Sequence, residues 1–332
     1  MRKRILVTGG CGFIGHHMVE YLLENDDSDV VILDRLDVSG NLNRLTELPN
    51  WEKNKKRVTF VWHDMKSEFH NNEILKNTIG QINTVLHLGA SSHVDRSIDD
   101  PLLFVMDNVV GTCNILNFAR QQKNLDNFVY FSTDEVFGPA PEGVNYKEND
   151  RYNSGNPYSA SKAGGEELCV AFENTYKMPM MITHCMNVFG ERQHPEKFIP
   201  LCIKNSYIGN KLFIHSNKNL TKAGSRFYIH AKNVCNAVDF LLKNGKNAEK
   251  YNIVGEKEVD NLTLAQMISK CVGKELVYEL VDFHSSRPGH DLRYALDGEK
   301  MAKMGWVPKD NLEQSIDNLV KWSLDNKKWI GL

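Results

Sequence analysis

Cysteine is sparse and scattered. The seven thiols, Cys11, Cys113, Cys169, Cys185, Cys202, Cys235 and Cys271, form no C-x-x-C pair and lie near no histidine cluster. That argues against a disulfide framework and a zinc site, and no metal is expected. An odd set of thiols fits a reducing compartment, so the expected location is the cytoplasm. An excess of one charge is lacking too. The 40 Lys and Arg stand against 42 Asp and Glu, for a formal charge of -2. No global field invites nucleic acid. The densest basic run, within WEKNKKR from Trp51 to Arg57, is short and reads as a solvated loop. No stretch reads as apolar for long enough to cross a bilayer. The apolar run in MRKRILVTGG is too short for a signal-peptide core. Repeats and low-complexity tracts are missing as well.

What the chain does have is alternation. Short apolar runs at Arg4–Thr8, Asp29–Leu33, Val58–Trp62, Thr84–Leu88, Asn127–Ser132 and Met180–Cys185 read as strands. Helical patterns fall between them, at Gly12–Glu24, Pro101–Gln121 and Asn156–Tyr176. Short, almost wholly apolar strands fit a sheet buried on both faces, and the alternation predicts an α/β, Rossmann-type doubly wound parallel sheet. The second half is more mixed. It holds a Pro-bounded helix start near Pro195–Pro200, isolated strands at Leu212–His215 and Tyr251–Val254, and amphipathic helices near Ala231–Lys243 and Leu262–Cys271. The expected division is a dinucleotide-binding domain over 1–190, with 226–250 returning to it, and a smaller, discontinuous substrate lobe over 191–332.

The string TGGCGFIG, Thr8 to Gly15, follows the first strand and opens the first helix. Glycines there permit a tight turn and close approach of backbone to a pyrophosphate, and the helix N-terminus offers N–H groups and partial positive charge. Gly9, Gly12, Phe13, Ile14 and Gly15 are the candidate cradle. Asp34 ends the second strand about 20 residues on, where an acid binds the ribose hydroxyls and repels a 2′-phosphate. The cofactor predicted is therefore NAD, with Arg35, next in the chain, as the argument for NADP.

A second group of chemistry-bearing residues follows. Thr133, Asp134 and Glu135 end an apolar strand, the place where open α/β sheets present their ligands. Three polar side chains there are costly to bury without a task. Tyr158 and Lys162 lie at i and i+4 on a helix that starts at Pro157, so they share a face. An ammonium beside a phenol favours the phenolate, which can take a hydroxyl proton near neutral pH while hydride leaves the same carbon.

With these motifs in order, the sequence resembles the extended short-chain dehydrogenase/reductase family, and within it the nucleoside-diphosphate-glucose 4,6-dehydratases. TGGCGFIG, HLGASSHVDRSI, STDEVFG, YSASK, HPEKFIP and RPGHDLRYALD carry the resemblance over nearly the whole chain. Similar epimerases and decarboxylases lack the adjacent Asp-Glu pair. The resemblance implies dehydration of dTDP- or UDP-glucose to the 4-keto-6-deoxy sugar, a hydro-lyase reaction of deoxysugar biosynthesis, with bound NAD recycled. It implies that Tyr158 acts at the C4 hydroxyl, Thr133 holds the C4 oxygen, Glu135 takes the C5 proton and Asp134 protonates the departing C6 hydroxyl. By position it adds Asp64, Met65, Leu88, Ala90 and Ser92 to the cofactor site. For the substrate it adds Ser92, Asn187, Lys197, Phe198, Phe213, His215, Arg226, Asn261, Arg287 and His290. It also implies a homodimer in which helices Pro101–Gln121 and Asn156–Tyr176 pair across a two-fold axis.

The sequence departs from that pattern in three places. Asp107 stands where a small hydroxyl residue is usual, Phe213 replaces a usual proline, and Ser216–Ser225 is long. The last two bear on the nucleotide pocket, and leave uridine and thymidine open. Two other readings stay open: a sugar-nucleotide 4-epimerase or decarboxylase, and a nucleotide-binding regulator without turnover. Outside the motifs, His16 and His17 read as exposed helix positions, Cys185 as a buried small side chain, and Trp306, Trp322 and Trp329 as anchors of C-terminal helices.

Overall fold

The computed structural model describes residues 2–68, 72–282 and 292–332. Arg287 and His290 lie outside them. Two compact units partition the chain: the first takes residues 1–136, 156–184 and 238–251, the second 137–155, 185–237 and 252–332.

The first unit is built on a seven-stranded sheet. Its strands are β1 (Arg4–Thr8), β2 (Asp29–Asp34), β3 (Val58–Trp62), β4 (Thr84–His87), β5 (Asn127–Thr133) and β6 (Met180–Cys185), with a further strand at Glu249–Ile253. That further strand flanks β6 at one edge, and the order continues β6-β5-β4-β1-β2-β3. β1 pairs parallel with β2 and β4, β2 with β3, and β4 with β5. The order reverses around β1, which puts a crevice beyond the carboxyl ends of β1 and β4. All four residues of β4 are buried, as are the last four of β1 and five of the six of β2. The strand expected at Tyr251–Val254 as an isolated element is thus part of the main sheet.

Three helices matter to the site: α1 (Phe13–Asn25), α2 (Pro101–Ala119) and α3 (Pro157–Tyr176). A core of Leu6, Val31, Val85, Leu116, Phe128 and Phe172 lies between helices and sheet. The helix α2 has the length and apolar composition of a membrane span, contrary to the expectation that no segment would. Half of it is buried, and its middle, Met106–Val110, is a π-helical turn carrying buried Asp107 and Asn108. A paired carboxylate at that place marks a core helix of a globular unit.

Two surface readings are also corrected. His16 and His17 are buried, because the first turns of α1 are enclosed on nearly every side and the exposed-face rule fails there. Trp51–Arg57 is two short helical turns, Trp51–Asn54 and Lys55–Arg57. In them Arg57 donates to the carbonyls of Leu23 at 2.9 Å and Ser28 at 2.7 Å.

The second unit has its own core, with Phe189, Ile203, Ile214, Tyr228, Ile268 and Ile316 among its buried residues. Its small sheets are a three-stranded one, Glu258–Asp260, Ser225–His230 and Asn187–Phe189, and a two-stranded one joining Tyr278–Asp282 to Leu212–Ser216. Helices Phe198–Ile208, Asn261–Val272 and Leu312–Asp325 pack around them. Trp306 and Trp329 are buried, and the Trp306 indole N–H donates to Asn236 at 3.0 Å.

Candidate active site

The glycine string forms the turn between β1 and α1. Gly9 has φ 67, and a Cβ there would lie 2.8 Å from the Cα of Gly89. At Gly15 a Cβ would meet the Gly9 carbonyl oxygen at 2.0 Å. Side chains at either position would push the turn apart. Gly12 stands at the N-cap position of α1, where no side-chain cap hydrogen bond is made to the first N–H groups.

Asp34 is buried at the end of β2. Its two oxygens accept from the backbone N–H of Cys11 at 2.9 Å and Leu36 at 2.8 Å. Leu36 adopts a left-handed φ of 55 to make that turn, a strained choice for a branched side chain. Burial raises the Asp34 pKa, against the two N–H bonds, which lower it. Burial, with the Asp34 charge, also pushes the Cys11 thiol up to about 12, so it stays a neutral packing group.

Beside Asp34, Arg35 is held by acids. Its two terminal nitrogens meet the two Asp107 oxygens at 2.7 Å each, its Nε donates to Asp37 at 2.7 Å, and Asp64 lies 3.5 Å away. Burial would raise the Asp107 carboxyl, but Arg35 and the Ser91 hydroxyl outweigh it and hold it below its usual range. Neither the Arg35–Asp107 pair nor Ser91 was among the sequence candidates. A lone Asp where a hydroxyl is usual was the only signal. Asp64 accepts from the Lys66 N–H at 3.0 Å, and the Asn114 amide donates to the Met65 carbonyl at 2.8 Å, which fixes this turn. After β4 come Leu88 and Ala90, half-buried, and Ser92, exposed.

The carboxyl end of β5 carries the acids. Thr133 and Asp134 are buried and Glu135 is half-buried. The Thr133 hydroxyl donates to Asp134 at 3.0 Å. The Asn156 amide donates to a Glu135 oxygen at 3.1 Å. The same Asn156 caps α3, accepting from the Ser159 N–H at 2.9 Å in a reciprocal capping box. The residue that starts the helix bearing Tyr158 and Lys162 therefore also holds Glu135. Asn156 is not among the site residues expected above, although N-P-Y opening a helix is a readable cap. Lys162 is buried, with its ammonium 4.2 Å from the centre of the Tyr130 ring, and Tyr130 donates its hydroxyl to the Lys162 carbonyl at 3.1 Å. Tyr158 is half-buried, in edge contact with Phe104 at 6.3 Å. Behind it, Ser161 donates to the Tyr158 carbonyl at 2.7 Å and receives the Asn108 amide at 2.9 Å.

His87, at the end of β4, is sealed between Thr8 at 2.7 Å and Thr112 at 3.0 Å. Burial, aided by the Lys162 charge, lowers its pKa to about 3. It is a neutral hydrogen-bonding bridge rather than a proton carrier.

The remaining candidates lie in the second unit. Asn187 and Phe213 are exposed, while Phe198 and His215 are half-buried. Lys197 stands at the N-cap position of the helix Phe198–Ile208 without a side-chain cap hydrogen bond. Arg226 is buried, spends one nitrogen on the carbonyls of Ser225 at 2.6 Å and Leu292 at 2.7 Å, and stands 4.6 Å from the Tyr294 ring centre. The Asn261 side chain accepts from the Tyr228 hydroxyl at 2.7 Å. Cys185 is buried. Among the described residues, no group of acidic, histidine or cysteine side chains could hold a metal.

A doubly wound sheet with a glycine cradle after β1 and a Tyr-x-x-x-Lys pair on α3 defines the class, a Rossmann-fold short-chain dehydrogenase/reductase. Within that class, the family model described as GDP-mannose 4,6 dehydratase matches residues 6–319, and the chain belongs to that family. It is 36% identical to dTDP-glucose 4,6-dehydratase 1 of Escherichia coli strain K12, over 98% of this chain and 94% of the relative. A crystal structure of DesIV, a dTDP-glucose 4,6-dehydratase from Streptomyces venezuelae with NAD and TYD bound, superposes with a TM-score of 0.88 at 32% identity, covering 99% of each chain. A Thermus thermophilus UDP-glucose 4-epimerase in complex with NAD reaches 0.84 at 26% identity, over 96% of this chain and 98% of that one. The scaffold is thus shared across chemistries, and the reaction has to be argued from the site.

Proposed function

We propose that this protein is an NAD-dependent 4,6-dehydratase of a glucose nucleotide, a hydro-lyase that forms the 4-keto-6-deoxy sugar nucleotide. The observation that carries the reading is the Asp134-Glu135 pair behind Thr133 at the carboxyl end of β5, in the unit that also bears Tyr158 and Lys162.

The residues present fit NAD. Gly9, Gly12 and Gly15 pack the turn so tightly that a Cβ at each would meet backbone, the close strand–turn–helix packing that a pyrophosphate cradle needs, and Phe13 and Ile14 follow at the start of α1. Asp34 suits the ribose hydroxyls, and Asp64, Met65, Leu88, Ala90 and Ser92 line the same end of the sheet. Held there, NAD would supply a hydride acceptor for sugar C4 and a hydride donor for C6, with no net redox change.

The protein's own residues handle the protons. Tyr158 removes the proton of the C4 hydroxyl, with Lys162 favouring the phenolate. Thr133 holds the C4 oxygen. The resulting ketone acidifies the C5 proton, which Glu135 removes. Asp134 gives its proton to the departing C6 hydroxyl, so water leaves, and a proton then returns to C5. Two adjacent acids with opposite tasks need different surroundings. Asp134 is buried under the Thr133 hydroxyl, while Glu135 is half-buried against the Asn156 amide. In the second unit, Asn187, Lys197 and Phe198 serve the sugar and phosphates, Arg226 and Arg287 the pyrophosphate, and Asn261, His290, Phe213 and His215 the nucleotide. A guanidinium suits the pyrophosphate because its fork meets two oxygens.

The similar dehydratases of Escherichia coli and Streptomyces venezuelae are named for dTDP-glucose, so that nucleotide leads and UDP-glucose follows; one methyl group separates the bases, worth about 1 kcal/mol or a little more. Purified protein offered dTDP-, UDP-, CDP- and GDP-glucose and GDP-mannose separately, with products weighed by mass spectrometry, tests the reading. Loss of one water from a glucose nucleotide supports it. Inversion at C4 with unchanged mass identifies an epimerase instead, and nucleotide binding with no product identifies a regulator.

The seven free cysteines suit the cytoplasm. The assembly is a homodimer through α2 and α3. Ile98, Leu102, Val105 and Met106 form an exposed apolar row beside and along α2, a surface that a second copy would cover. Light scattering should give about twice the 37.9 kDa chain mass; the single-chain mass would remove the dimer.

A further inference from the structure

Arg35 is the residue that argued for a 2′-phosphate, and in the fold it is already taken. A guanidinium has five N–H groups in a planar fork. Asp107 binds both terminal nitrogens at 2.7 Å, Asp37 takes Nε at 2.7 Å, and Asp64 stands at 3.5 Å. The Asp107 side chain is only 2% exposed, against 24% for Arg35. It is held in turn by the Ser91 hydroxyl at 2.5 Å. Ser91 is fixed by Asn108, whose side chain accepts its N–H at 2.8 Å and donates to its carbonyl at 2.9 Å. Lys66, the other cation nearby, lies 3.6 Å from Asp107 and 3.5 Å from Asp64. With Asp34 counted, four carboxylates face Arg35 and Lys66 at the end of β2, and the next guanidinium, Arg44, is buried with a terminal nitrogen on the carbonyls of Cys11 at 3.1 Å and Ser39 at 2.5 Å. A 2′-phosphate would bring further negative charge into that field with no guanidinium free to meet it.

We propose that Asp107 sets the choice of dinucleotide: it occupies the terminal nitrogens of Arg35 and so withholds that guanidinium from a 2′-phosphate. The proposal rests on the NAD reading above. Asp34 alone would repel the phosphate, but a free Arg35 beside it would compensate. Asp107 removes the compensation from a position 72 residues away in the chain. The π-helical turn that carries it, Met106–Val110, is the local device that aims the carboxylate at β2.

The test is nucleotide retention, independent of turnover. Purified protein is incubated with an equimolar mixture of NAD+ and NADP+, desalted, denatured, and the released nucleotides are quantified by chromatography. Wild type should retain NAD. Asp107→Asn should raise the NADP-to-NAD ratio by about tenfold to a hundredfold, the worth of one charged hydrogen-bonding partner. Arg35→Gln placed on top of Asp107→Asn should abolish that gain, because the freed guanidinium is its cause. Asp107→Ser, which also removes the charge, gives the same comparison if the Asn variant folds poorly, and thermal melts report folding. An unchanged ratio in a folded Asp107 variant overturns the proposal, as does a gain that survives loss of Arg35. Wild type retaining neither nucleotide would instead bring down the NAD reading and this proposal with it.

Discussion

Consecutive carboxyl side chains can divide a proton-transfer task only if the backbone sends them into different neighbourhoods. The 3-10 turn Asp134–Phe137 does so, leaving Asp134 with the Thr133 hydroxyl and Glu135 with the Asn156 amide. Glu135→Gln and Asp134→Asn should therefore fail at different points. Each should lower kcat by about 10²–10⁴-fold, the usual worth of a positioned acid or base. They separate when the reaction is run in D2O. Substrate recovered from Asp134→Asn should carry deuterium at C5, because the base still works and only the departure of water is slow. Substrate recovered from Glu135→Gln should carry none. Equal labelling by both variants would reverse or merge the two roles.

The helix α3 shows how one residue can serve both folding and chemistry. Pro157 at its start and Asn156 before it give the chain a rigid entry, and the cap orients both the helix and Glu135. Asn156→Ala should cost about 1 kcal/mol of stability, the typical worth of an N-cap, and lower kcat as well. Asn156→Asp keeps the cap but sets a carboxylate beside Glu135. Its melting temperature should stay near wild type, while the acidic limb of its kcat–pH profile moves upward. A wild-type profile from Asn156→Asp would show that the contact with Glu135 has no part in turnover. Elements of this kind were readable because a proline, a cap and an apolar face coincide. The short strands Asn187–Phe189 and Glu258–Asp260 were not: each has three residues, and Glu258 and Asp260 flank a single buried valine. Their pairing with Ser225–His230 comes from tertiary packing that no local period announces.

Across the whole chain, the first unit was legible in its strands because burial on both faces leaves an unbroken apolar run. Ile5–Val7 and Val30–Leu33 are such runs, and the cradle and Asp34 follow them. What the sequence hid was pairing between distant polar groups. Arg35 with Asp107, and His87 between Thr8 and Thr112, are partners set by the order of strands. The histidine has a consequence for the stability of the whole molecule. Its folded pKa, about 3, lies below the ordinary 6.5 of an unfolded chain. Above pH 6.5 neither state binds the proton and the buried neutral ring costs nothing. As pH falls from 6.5 toward 3, the unfolded chain takes the proton and the folded one does not, so stability drops by ~1.4 kcal/mol per pH unit. Asp107 and Glu166 have lowered folded pKa values, so their stabilisation is lost only below their ordinary 3.8 and 4.5. Asp34, with a raised pKa, acts in the opposite sense, gaining stability as it protonates. Between pH 6.5 and 5 the comparison of wild type with a His87 variant isolates the histidine, because these acids are common to both proteins. His87→Gln, which keeps hydrogen-bonding capacity without a titrating ring, should begin less stable at neutral pH. Its urea midpoint should then fall less steeply than that of wild type, the difference reaching about 2 kcal/mol by pH 5. Parallel declines in the two proteins would mean that His87 is not held neutral in the fold.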